Sequence, residues 1–339
     1  MGNINDSLAA NPYASRGIVR DHQSFFGRAH ELREIASWLN TMQSVSVIGE
    51  RRIGKSSLLY QIANPDSDHA KLFSGFSAKY LDLQSVTTVE EFYFRACSLL
   101  EAEEGNSHWD LEAAVEGNKI VLCLDEFDQA YQKNFGDDFF NSLRSLAQSG
   151  NLALAVATRK PLNELHAIYL SNNDATSNFH NIFNFLSLRE FSDNEAREFV
   201  TRRKDFSPPE IEFILKLAGN HPYKLNVACW LVFKAKQATE PASNLSSTDL
   251  KKIRQEFADQ ISGALTTASG IRTTARNSYT SPLLALLLIL IAIPIVAFSA
   301  NASFGPGMFF AIFLSLSSFW LLLKDSRPVL WIRAKAKIF

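Results

Sequence analysis

Short apolar runs recur through the first half of the chain, at residues 45–48, 79–83, 120–124, 152–157 and 182–188. Each is of strand length and is bounded by polar or glycine-containing stretches, so five β-strands are predicted. Between them, 56–63, 89–101 and 137–148 place apolar residues at helical spacing. Strands alternating with helices predict an α/β fold whose mostly parallel sheet is covered on both faces. From 191 to about 237 the pattern becomes wholly helical. Ser192-Asp193-Asn194-Glu195 reads as a capping box, and Pro208-Pro209 opens a further helix at Glu210. A polar stretch over 239–247 with Pro241 reads as a hinge before a helix at 248–265, and a Ser/Thr/Gly-rich linker follows to 281. No internal repeat of 20 to 50 residues is evident.

Charge changes the picture at the carboxyl end. The chain of 339 residues has net charge −1, yet the 47 residues from 277 to 323 contain no Asp, Glu, Lys or Arg. Residues 282–299 and 307–323 are nearly apolar and close to the ~20 residues that span a bilayer, so a transmembrane helical hairpin is expected there. Arg272 and Arg276 precede it, and the tail 324–339 carries +4. The positive-inside rule then puts both ends in the cytoplasm of a two-span bacterial inner-membrane protein, in contact with the lipid bilayer. The near-neutral balance gives no reason to expect nucleic acid as a partner. The scattered Cys97, Cys123 and Cys229 imply no disulfide framework, and the seven histidines show no metal-ligand spacing. The first thirty residues lack the apolar core of a secretory signal.

The clearest chemistry is Gly49-Glu50-Arg51-Arg52-Ile53-Gly54-Lys55-Ser56, which meets G-x-x-x-x-G-K-[ST] at every fixed position between a strand and a helix. The glycines let backbone N–H groups approach phosphate. Lys55 would reach the β- and γ-phosphates, and the Ser56 hydroxyl, with Ser57 beside it, would sit at a helix N-terminus with Mg²⁺. Farther on, 120–124 runs into Asp125-Glu126, which reads as a Walker B strand end. Asp125 would hold Mg²⁺ through water and Glu126 would orient or deprotonate the attacking water. Thr158-Arg159 closes the fourth strand at the same sheet edge, where Arg159 would meet a γ-phosphate.

These pieces coincide with Asn11-Pro12-Tyr13, with Phe26-Gly27-Arg28-Ala29-His30-Glu31-Leu32 and with Gly219-Asn220-His221-Pro222-Tyr223. Over about residues 11 to 265 the chain resembles the STAND ATPases, the signal-transduction branch of P-loop NTPases related to AAA+ proteins. The resemblance implies an ASCE-type parallel sheet of order 5-1-4-3-2 and a helical lid. It also implies nucleotide contacts from Arg28, His221 and Pro222, and ATP/ADP-dependent switching between closed and oligomer-competent forms. It departs at the carboxyl end, where family members usually carry long repeats as sensors.

The resulting organisation is an N-terminal segment with the F-G-R box (1–43), an ATPase core (44–190), a helical lid (191–265), a linker (266–281), a hairpin (282–323) and a basic tail (324–339). The expected function is a membrane-anchored, oligomerising ATPase switch using ATP and Mg²⁺, with a slow regulatory turnover. A separate sensor or effector protein is an expected partner, and a defence or stress role with the hairpin as output is the expected setting. The alternatives are an origin-recognition or helicase-loader type AAA+ protein, which would need a basic DNA-reading module, and a nucleotide-binding membrane scaffold without turnover.

Overall fold

The computed structural model describes residues 11–21, 23–102, 105–170, 178–238 and 245–266. Residues 1–262 form one compact unit; the second, 263–339, lies almost wholly outside the described residues. Five strands, β1 (Ser44–Ile48), β2 (Ser77–Asp82), β3 (Ile120–Asp125), β4 (Leu152–Thr158) and β5 (Phe183–Ser187), make one sheet of order β2-β3-β4-β1-β5. All neighbours are parallel, with β1 centred between β4 (Val45 opposite Ala155) and β5 (Val45 opposite Asn184). This is the expected 5-1-4-3-2 order counted from the other edge.

The helices are α1 (Ala29–Leu39), α2 (Lys55–Ala63), α3 (Val89–Leu99), α4 (His108–Val115), α5 (Asp128–Gln132), α6 (Asp137–Gln148), α7 (Leu162–Leu170), α8 (Asp193–Thr201), α9 (Pro208–Ala218), α10 (Pro222–Gln237) and α11 (Ser247–Thr266). Every residue of β3 and β4 is buried, as continuous apolar strands require. Alternate residues serve two separate cores. Leu122, Leu124, Leu154 and Val156 meet the aromatic face of α3 and α6, where Phe92 and Phe139 pack edge to face at 5.0 Å. Val121, Cys123, Ala153, Ala155 and Ala157 face α1 and α2, and the three alanines let those helices approach the sheet closely.

A third apolar cluster joins α8, α9, α10 and α11 through Phe199, Phe206, Ile214, Leu225, Leu231 and Phe257, and takes in Tyr13 from the N-terminal strap. Ser192 and Glu195 form the expected capping box. The next helix starts earlier than expected, at Pro208 instead of Glu210, because Ser207 and Glu210 form a second box with proline in the first helical turn.

The membrane placement is corrected. Among the described residues no helix is long and apolar enough to cross a membrane. Of the two longest, α10 has 16 residues and α11, with 20, carries Asp249, Lys251, Lys252, Arg254, Glu256 and Asp259. The expected hairpin at 282–323 and tail at 324–339 lie outside the described residues.

Candidate functional site

The glycine-rich loop leaves β1 between the ends of its two neighbours. Gly49 N–H donates to the Thr158 carbonyl of β4 at 3.3 Å, while Leu188, just past β5, donates to Ile48 O at 2.7 Å. A Cβ on Gly49 would lie 2.8 Å from Leu188 O and 3.0 Å from Ile53 Cγ2, so no side chain fits. Gly54 has φ +107°, a conformation that favours glycine, and opens α2 directly behind it. Lys55 is buried, with its ammonium donating to Gly49 O at 2.8 Å and Glu50 O at 2.9 Å. Burial lowers its pKa, against the opposing pull of Glu126, Asp128 and Asp125.

Asp125 ends β3 and is 3 % exposed. Its Oδ2 accepts the Tyr80 hydroxyl at 2.7 Å and its Oδ1 accepts the Glu126 N–H at 3.0 Å. Glu126 turns the chain out of the strand with φ 49° and pairs with the Arg159 guanidinium at 3.1 Å. Asp128, which the sequence patterns did not single out, is 3 % exposed and accepts the Arg159 backbone N–H on both oxygens, at 3.1 and 3.3 Å. Arg159 is thus gripped at its backbone and at its head. Burial raises the Asp128 pKa and the Arg159 N–H opposes that shift. The Thr158 hydroxyl is buried with no partner.

Gly54, Lys55 and Glu126 border a cavity of about 290 Å³ between the sheet layer and the helical layer. Loop residues Arg51, Arg52, Ile53, Gly54, Lys55, Ser56 and Ser57 line it with Glu126, and Pro222, Tyr223, Asn226, Phe199 and Arg202 face them. The remaining wall is a strap that periodicity does not reveal, since it belongs to no helix or strand. Asn11 donates to Trp230 O at 3.0 Å, Tyr13 to Asp205 at 2.9 Å, and Asn226 to Ser15 O at 2.7 Å, so one end rides on the helical layer. At the other, Val19 N–H donates to Ser57 Oγ at 2.9 Å and Val19 O accepts from Gln61 at 3.3 Å, on α2.

Arg28 lines the cavity but is 5 % exposed, and its guanidinium is committed to Glu31 at 2.8 Å, Arg189 O at 2.6 Å and Ile53 O at 3.3 Å. It braces the loop from behind. Pro222 lines the cavity; His221, one residue earlier and 6 % exposed, is not among the lining residues. Gly49, Glu50, Asp125 and Arg159 also stand just outside the lining, at the loop's root and at the sheet edge.

The donors near the loop are hard oxygens, the Ser56 hydroxyl and the Asp125 carboxylate. Each Asp125 oxygen takes one protein donor and keeps lone-pair capacity. That set suits Mg²⁺ arriving with phosphates and waters; among the described residues no group of three His, Cys, Asp or Glu forms a cage of its own.

Residues 109–268, just under half of the chain, match the family model described as novel STAND NTPase 2. The match takes in β3, β4, β5 and the helical layer, and begins after the glycine-rich loop. A Walker-type ATPase of Pyrococcus abyssi is 15 % identical, with 90 % of this chain and 93 % of that one covered at a TM-score of 0.56. The ORC1 protein of Aeropyrum pernix, solved in complex with DNA, is 13 % identical, with 68 % and 65 % covered at a TM-score of 0.50. No curated protein sequence matches this chain. At such identities the structural likeness is one of fold, that of P-loop ATPases, while the family match over residues 109–268 is to a STAND-type NTPase.

Proposed function

We propose that the chain is a STAND-type ATPase that binds ATP with Mg²⁺ in the cavity between its sheet and helical layers, turns it over slowly, and uses the nucleotide state to control assembly with copies of itself. One observation carries this reading. Six cationic residues (Arg16, Arg28, Arg51, Arg52, Lys55 and Arg202) line the cavity against the single acid Glu126, beside a glycine loop whose Gly49 tolerates no Cβ. A compact polyanion meets that imbalance, and the first N–H groups of α2 point along a dipole that favours it.

In this reading Lys55 exchanges the Gly49 and Glu50 carbonyls for phosphate oxygens. Ser56 and Asp125 hold Mg²⁺, which would neutralise charge on the β- and γ-phosphates. Glu126 orients the attacking water and takes its proton, while Arg159 turns from Glu126 to the γ-phosphate. The two roles are linked, because the 3.1 Å ion pair must part for either to begin. The strap and the aromatic residues of the helical layer are left to enclose the nucleoside.

The test compares Lys55→Ala and Glu126→Gln with the wild type in nucleotide titration, phosphate release and sedimentation. Lys55→Ala is expected to lose ATP binding, and Glu126→Gln to bind ATP and accumulate in the ATP-dependent assembly with turnover reduced by a factor of about 10² or more. Unchanged phosphate release in Lys55→Ala would overturn the proposal.

A further inference from the structure

Tyr80 lies on β2, the edge strand, where nothing in the motif logic asks for a functional residue. In the register of β2 with β3, Tyr80 is opposite Cys123, two positions before the Asp82–Asp125 pair. Its ring nevertheless reaches along the sheet so that the hydroxyl donates to Asp125 Oδ2 at 2.7 Å. The ring is fixed by packing. Tyr60 of α2 meets it edge to face with centroids 5.8 Å apart, and Arg20 lies 5.6 Å over the Tyr60 ring. Tyr60 is on the helix that the glycine loop opens, so this ring contact ties the phosphate-loop helix to the carboxylate at the end of β3.

The bond leaves the Asp125 carboxylate little freedom. One oxygen is taken by Tyr80 and the other by the Glu126 backbone N–H, each once, and the group is 3 % exposed. A carboxylate with two fixed donors cannot rotate without leaving one of them unpaired in a buried setting. Its remaining lone pairs therefore point in set directions. Metal-binding carboxylates depend on such outer partners, whose removal typically weakens metal binding without touching the ligands.

We infer that Tyr80 is a positioning residue for the metal side of the site: its hydroxyl orients Asp125 toward a divalent cation and couples that orientation to α2 through Tyr60. The inference rests on reading the cavity as an Mg²⁺–nucleotide site. It separates two properties that a structural role would impair together, the affinity for nucleotide alone and the affinity for metal.

Mn²⁺ serves as the probe, with free Mn²⁺ followed by electron paramagnetic resonance in the presence of a non-hydrolysable ATP analogue and the full chain. Tyr80→Phe keeps the ring and removes only the donor. It is expected to raise the half-saturating Mn²⁺ concentration about tenfold or more, while nucleotide affinity in chelator stays within about twofold of wild type. In the Asp125→Asn background the same change should add little. Replacing Tyr80 by 4-aminophenylalanine, which keeps a donor on the ring, should restore the wild-type metal requirement. A folded Tyr80→Phe protein with unchanged Mn²⁺ dependence would overturn the inference, and so would an equal loss of affinity in chelator. Should Tyr80→Phe not fold, the 4-aminophenylalanine protein keeps the inference falsifiable, since a tenfold shift with a donor retained on the ring would overturn it. Failure of the wild type to bind nucleotide with or without Mn²⁺ is a different result and overturns the site reading itself.

Discussion

The two walls of the cavity are built from different forces. On the sheet side the charged groups of the site are tied by directional hydrogen bonds within their own layer: Lys55 to the carbonyls of Gly49 and Glu50, Asp125 to Tyr80, and Arg159 to both Glu126 and Asp128. On the helical side, besides the hydrogen bonds of the strap, cations lie over rings. Arg52 lies 4.1 Å over Tyr223, Arg202 lies 4.7 Å over Phe199 and 5.0 Å over Phe26, and Arg28 lies 4.7 Å over Phe191. A hydrogen bond weakens steeply with angle, whereas a cation over a ring tolerates sliding. Groups that must be placed to fractions of an ångström thus sit on the wall held by directional bonds, and the facing wall adds contacts that depend less on angle.

The comparison breaks if the sheet side proves forgiving. Gly49→Ala pushes a methyl group into Leu188 O, a backbone atom that cannot step aside, so the loop itself must move. Nucleotide affinity is expected to fall by about a hundredfold or more, read by titration, with a lowered melting temperature. On the compliant wall the expected effect is smaller. Tyr223→Ala removes the ring under Arg52, worth about 0.5–1 kcal/mol, so affinity should change by no more than about fivefold. A loss as large as that of Gly49→Ala would show the helical wall to be as exacting as the other.

The smallest effect concerns His221, the N-cap residue of α10 in that wall. Burial, and then Lys224, hold the His221 pKa below its ordinary value. Above about pH 6.5 the imidazole is neutral in the folded and unfolded chain alike and pH has no leverage through it. Below that value the unfolded chain takes up a proton that the folded chain refuses, so stability falls as the pH falls, until the lowered folded value is passed. Melts between pH 7.5 and 5 should show a shallower decline for His221→Gln than for the wild type.

How much of this was legible follows from where the information resides. The five strands and the glycine loop are written in runs of neighbouring residues, whereas the strand order was implied only by the resemblance, and the sheet has that order. Asp128, Tyr80 and the strap beyond Asn11-Pro12-Tyr13 were not legible, because each acts through partners far along the chain: Asp128 on Arg159, Tyr80 on Asp125, Val19 on Ser57. A lone tyrosine on an edge strand has no periodic signature. Arg28 was legible as a residue of the site but not in its manner of working, since its burial against Ile53 and Arg189 exists only after folding. The apolar stretch at 282–323 misled in another way: absence of charge was read as a membrane location, and no described helix supports that location.

The strap also sets an order of events during synthesis. Asn11, Tyr13 and Ser15 leave the ribosome about two hundred positions before their partners Trp230, Asp205 and Asn226. Contacts of such sequence separation form late and slow folding. The sheet, complete by Ser187, can assemble while the strap still waits for the helices it will rest on. The nascent chain therefore carries a finished phosphate loop behind an unfinished wall, and the cavity can close around a ligand only once α10 has emerged.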